Sequence, residues 1–132
     1  MYYIFESFFV GLYSSIIFLI LNKTIKVEIN LLIFLTGFAK HLLGFFLQIH
    51  TYYCNYGYAC NKQSSSLLSS KYTHMLLVEC ILEGIVFVLF YNVIKRIHNL
   101  KTIYVIFIIG ILLHILTEKF KIHSSFCEKR CV

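Results

Sequence analysis

Proline, tryptophan and aspartate are absent from the 132 residues, and alanine and arginine occur twice each. Without aspartate there is no Ser-His-Asp set for nucleophilic catalysis. Without proline no span has the proline break found in discontinuous transporter helices. No glycine-rich phosphate loop occurs, and the histidines lack the close spacing of membrane di-iron enzymes. Charge is also scarce, at 14% of residues against about 25% in soluble domains. Ile, Phe, Tyr, Lys and Asn fill the gaps, which reads as an AT-rich coding sequence and bears on no mechanism. No basic leader or small-residue cleavage site marks a signal peptide, so the first apolar run is expected to stay. Cys131 is second from the end, so no prenylation box is expected.

Apolar residues make up 59% of the chain and the mean hydropathy is +0.79. A soluble domain of this size has too little interior to hide that much apolar surface. The net charge of +6 is spread between apolar runs rather than clustered on one face, so no nucleic-acid partner is expected. The lipid bilayer is the first partner. A spanning helix needs about 17–25 apolar residues, and four segments qualify: 2–21, 31–49, 73–94 and 102–118. Lys40, within the second, costs about 2.5–3.5 kcal/mol on insertion, which the leucines, isoleucines and phenylalanines around it offset. The expected fold is an all-α, four-span antiparallel bundle forming a single domain over 1–132, with no internal repeat. Residues 64–70 are serine-rich and read as part of a loop.

Four spans put the N-terminus, middle loop and C-terminal tail on one side. The opposite loops are short and hold Lys23, Lys26, Lys95, Arg96 and Lys101. Short basic loops tend to stay cytosolic, so the N-terminus, middle loop and tail are expected outside the cytosol. Asn22-Lys23-Thr24 matches the glycosylation pattern but would then face the cytosol. Cys54, Cys60, Cys127 and Cys131 all fall on the non-cytosolic face, as do Tyr2, Tyr3, Tyr52, Tyr53, Tyr56, Tyr58 and Tyr72. The tyrosines suit the headgroup level and offer a face for a protein partner or a second copy of the chain.

Four cysteines gathered on an oxidising face read first as disulfides, either two local clips or two crossed staples. Thiol–disulfide catalysis is an alternative, although the spacings are Cys-x5-Cys and Cys-x3-Cys rather than Cys-x-x-Cys. Zinc is another, on His50, Cys54, Cys60, His123, Cys127 and Cys131, of which only the tail cysteines have a knuckle spacing. No cofactor is otherwise expected.

Each span has a stripe of small and polar residues at helical spacing. The stripes are Ser7, Gly11, Ser14 and Ser15; Gly37, Lys40, His41, Gly44 and Gln48; Glu79, Cys80, Glu83 and Gly84; and Gly110, His114, Thr117 and Glu118. Small residues let helices approach closely in lipid, and polar ones bond across the contact. The stripes should therefore meet inside the bundle. Lys40, His41, Glu79, Glu83 and His114 form the expected intramembrane polar cluster, with Lys40 paired to Glu83 and Glu79 near His41 or His114. Such charges either lock helices in register or relay protons where water enters. The first reading makes the chain a structural, scaffold or assembly membrane protein. The second makes it a proton- or ion-conducting channel or carrier using Lys40, Glu79, Glu83 and His114. An enzyme is the less expected outcome.

Overall fold

A computed structural model of the chain describes residues 2–60 and 75–131. The serine-rich stretch, Lys62, Lys71, Tyr72 and His74 lie outside the described residues. Six helices occur among those described: α1 Tyr2–Thr24, α2 Ile29–Phe46, α3 Ile49–Tyr56, α4 Met75–Ile97, α5 Thr102–Lys119 and α6 Ile122–Arg130. Four of them, α1, α2, α4 and α5, are long and apolar enough to cross a membrane. They form an all-α antiparallel bundle, with α3 and α6 capping the end that holds the N-terminus. The outer faces are apolar and exposed, as at Phe5, Phe9, Ile16, Leu82, Leu89 and Val93, which is the surface a bilayer covers.

Two features differ from the linear reading. The second span stops at Phe46 rather than at residue 49, because Gln48 adopts a left-handed conformation (φ 61°) and starts a new helix. The same device ends α5, where Lys121 (φ 57°) precedes α6. A left-handed residue other than glycine is uncommon, and here it turns each long helix into a short capping one.

The second difference is an internal repeat. Each helix of the second half begins 73 residues after its counterpart: Met75 after Tyr2, Thr102 after Ile29 and Ile122 after Ile49. The matched long helices have equal lengths, 23 residues for α1 and α4 and 18 for α2 and α5. At this offset Glu6 matches Glu79, Gly11 matches Gly84, Gly37 matches Gly110, His41 matches His114, His50 matches His123 and Cys54 matches Cys127. The capping segments share Ile-His-Thr-Tyr-Tyr-Cys (49–54) and Ile-His-Ser-Ser-Phe-Cys (122–127). The matched helices run the same way, so the halves are parallel repeats about an axis along the membrane normal.

Packing follows the repeat. The closest pairs are α1 with α5 and α2 with α4, each joining one half to the other. A Cβ built on Gly110 would come within 2.8 Å of the Gly11 Cα, and one on Gly37 within 3.0 Å of the Gly84 Cα. The glycines are thus where the backbones touch, as the small-residue stripes implied. Away from the cap the interior is apolar, built from Phe18, Leu32, Ile33, Phe87, Tyr91, Val105, Ile106 and Ile109. The polar stripes occupy the half of the bundle nearer the cap.

Candidate functional site: two related polar clusters beneath a disulfide cap

The cap is held by two crossed disulfides, Cys54–Cys131 and Cys60–Cys127. They staple α6 and the tail onto the segment around α3, and each joins one of the matched cysteines, Cys54 or Cys127, to a cysteine outside the match, since Cys131 corresponds to Tyr58. The sulfurs of the zinc set considered from sequence are therefore bonded to one another. Cys80 is the free cysteine among the described residues, buried within α4.

Beneath the cap, α2 and α4 position the first cluster. Lys40 pairs with Glu83 as the sequence predicted. His41 lies between the carboxylates, with Nδ1 2.6 Å from Glu83 Oε2 and Nε2 3.0 Å from Glu79 Oε2. The predicted proximity of Glu79 to His41 is thus present. Arg130 enters from α6 and donates from Nη2 to Glu79 Oε2 at 2.6 Å. Although it belongs to the tail, Arg130 is only 2% exposed. A carboxylate oxygen faces each His41 ring nitrogen, so both nitrogens donate, and this imidazolium joins Lys40 and Arg130 in holding the two carboxylates, as burial in low dielectric requires. Lys40 also lies 5.7 Å from the Phe87 ring centre.

His114 belongs to a second cluster. Its Nε2 lies 3.3 Å from Glu6 Oε2 and 3.9 Å from Glu118 Oε1, within the same α5. His123 of α6 places Nδ1 2.7 Å from Glu118 Oε1. The Tyr53 hydroxyl of α3 donates to that oxygen at 2.7 Å, and the Tyr58 amide donates to Glu6 Oε1 at 2.7 Å.

The clusters are the same site seen twice. Glu6–His114 repeats Glu79–His41, and the imidazole pair His114–His123, with centres 4.6 Å apart, repeats His41–His50 at 5.0 Å. Tyr53 stands edge-on to His123 at 5.2 Å, as its match Phe126 stands to His50 at 5.5 Å. Tyr53 and Phe126 meet each other at 6.1 Å, close to the axis between the halves. Hydropathy and helical spacing give Glu6 and Arg130 no functional mark, leave Tyr53 among the headgroup tyrosines and set Glu118 on a stripe only. The 73-residue offset flags Glu6, since it sets that residue against Glu79.

Electrostatics in the cap follow burial. The His50 imidazole is pushed down to about 4, first by desolvation and then by the neighbouring His41 and Arg130 charges. Its Nδ1 is buried and has no hydrogen-bond partner among the described residues. Burial also lowers His123. It raises Tyr53, which the Glu118 carboxylate raises further, so the phenol stays protonated and donates. The chain matches no protein-family model, no curated protein and no solved structure.

Proposed function

We propose that the protein is a structural or assembly component of a membrane: a four-span unit that holds a rigid, disulfide-stapled cap at the surface for a protein partner or a second copy of itself. One observation supports this over conduction. The polar clusters occupy only the cap-side half of the bundle, and the other half is closed by Phe18, Ile33, Phe87, Ile106 and Ile109. Among the described residues the charges tie helices and cap together without a polar route across the bilayer. The cap exposes Tyr52, Tyr56 and Tyr58, a residue type common where one end of a contact is apolar and the other wet. We place the cap on the non-cytosolic side, because the opposite loops hold the short basic runs and disulfides persist in oxidising compartments.

The test is reconstitution. Purified protein in liposomes should pass no more protons or ions than empty liposomes. After mild solubilisation of its native membrane it should migrate in an assembly larger than one chain. Flux by the protein alone that Glu83→Gln abolishes, in a variant that still folds, would reject this reading in favour of conduction. One feature does favour that second reading: Lys40, Glu83, His41, Glu79 and Arg130 form an unbroken chain of polar contacts along which protons could move.

A further inference from the structure

The two clusters match in their histidines and in one carboxylate, but not in their cations. In the first, Lys40 and Arg130 balance Glu79 and Glu83. At the 73-residue offset, Lys40 becomes Leu113 and Arg130 becomes Gly57. The second cluster gains a carboxylate instead, since Glu118 stands where the first half has Phe45. Among the described residues no lysine or arginine forms an ion pair with Glu6 or Glu118; their ionic partners are His114 and His123. With neutral imidazoles this site has a formal charge of −2, whereas its twin sets two permanent cations, Lys40 and Arg130, against its two carboxylates. Glu118 is largely buried and His114 is 7% exposed, so water does little to offset the imbalance.

We propose that the second cluster is a divalent transition-metal site, with His114 Nε2, Glu118 Oε1 and His123 Nδ1 as ligands and zinc as the ion that fits best. The three ligand atoms lie within 4.8 Å of one another. A tetrahedral zinc with bonds of about 2.0–2.2 Å needs ligand atoms roughly 3.3 Å apart. The separations of 3.9 Å for His114–Glu118 and 2.7 Å for His123–Glu118 lie on either side of that value. Two imidazoles and a carboxylate suit zinc better than calcium or magnesium, which prefer all-oxygen sets.

The surrounding contacts fix the ligands as a metal site requires. The Thr117 hydroxyl donates to the His114 carbonyl at 2.8 Å and so accepts from His123 Nε2 at 3.0 Å. That bond puts one His123 proton on Nε2, so Nδ1, 2.7 Å from Glu118 Oε1, meets the carboxylate through either a second proton or a metal ion. Tyr53 donates to the Glu118 oxygen, and Glu6, whose Oε2 is 3.3 Å from His114 Nε2, adds the second negative charge. A divalent ion neutralises the pair of carboxylates. It would also clip α5 to α6 across the left-handed turn at Lys121.

The test uses the full chain in detergent, oxidised and without a histidine tag, stripped with chelator and then titrated with zinc by calorimetry and with cobalt(II) by visible absorption. The expected result is one equivalent bound and a tetrahedral cobalt spectrum without thiolate charge-transfer bands. Glu118→Gln and His123→Ala should each weaken binding about tenfold or more, while His98→Gln leaves it unchanged. Helix content and protection of four cysteines from maleimide check that each variant folds. No binding by the wild type overturns the proposal, since protons on both imidazoles would then supply the balance. A cobalt spectrum with thiolate bands, or full affinity in both folded variants, also overturns it.

Discussion

At the residue scale, the buried ionic groups are held by one another, and removing one strands its partner. Glu83→Gln leaves Lys40 without its carboxylate and takes an acceptor from His41. Breaking a buried pair from one side costs about 3–5 kcal/mol, whereas replacing both members by apolar residues is close to neutral. Unfolding in detergent should therefore show a large loss for Glu83→Gln and recovery toward wild type for Lys40→Met combined with Glu83→Leu; equal losses would mean the pair adds net stability of its own. His50 makes a separate prediction about acid. Its folded value of about 4 lies below the ordinary value near 6.5, because burial, His41 and Arg130 disfavour its charge, with Glu83 opposing them. The unfolded chain therefore binds a proton at His50 across a window in which the folded chain refuses it. This contribution is intact above about pH 6.5 and is lost as pH falls toward 4. Between pH 7 and pH 5 the loss is about 1–2 kcal/mol, and hydrogen exchange in α3 should report it. The slope should flatten in His50→Gln; an unchanged slope would assign the effect to the carboxylates.

At the element scale, two glycine contacts set how closely the helices approach. A side chain at Gly110 meets backbone at Gly11 and the Ser14 hydroxyl, and one at Gly37 meets backbone at Glu83 and Gly84. Neither neighbour can yield by changing a rotamer alone. Gly110→Leu should part α1 from α5, and Gly37→Leu should part α2 from α4, each costing about 1–3 kcal/mol or more by overpacking. Gly44→Ala should cost less, because the atoms its Cβ meets belong to the His50 ring, which can shift. Thermal denaturation of the three variants would test that order, and a Gly44→Ala loss equal to the other two would reject it. The spans and stripes were legible from sequence because both depend on hydropathy and helical spacing alone. The two left-handed turns were not, because Gln48 and Lys121 give no local signal of the kind glycine gives. Arg130 was also hidden, since a basic residue in a polar tail reads as solvated until the disulfides draw α6 back over the bundle.

At the scale of the whole molecule, the repeat was illegible in the linear chain because apolar residues of one kind replace another, or a polar residue, at many matched positions. Besides a few apolar identities such as Ile33/Ile106 and Phe34/Phe107, what persists is Glu6/Glu79, Gly11/Gly84, Gly37/Gly110, His41/His114, His50/His123 and Cys54/Cys127, residues that touch across the halves. A contact that must form twice constrains both copies, whereas a lipid-facing residue needs only to be apolar. The closest helix pairs and both disulfides run between the halves. One half alone therefore has its best partner in a second copy of itself. In two copies of residues 1–66, Gly11 of α1 would meet Gly37 of the other chain's α2, Glu6 would meet the other chain's His41, and Cys54 would face the other chain's Cys60. This segment expressed by itself is expected to run as a disulfide-linked dimer on a non-reducing gel and as a monomer after reduction. In the full chain, the nonreduced digest should contain Cys54–Cys131 and Cys60–Cys127, closing separations of 77 and 67 residues. Each closure removes about 4 kcal/mol of unfolded-chain entropy on the loop model when taken alone. Local Cys54–Cys60 and Cys127–Cys131 bridges in that digest, or a first half that stays monomeric in oxidising membranes, would show that the halves are not interchangeable partners. The crossed cap and the dimer appearing together would fit a bundle built from one two-span unit, doubled and joined in a single chain.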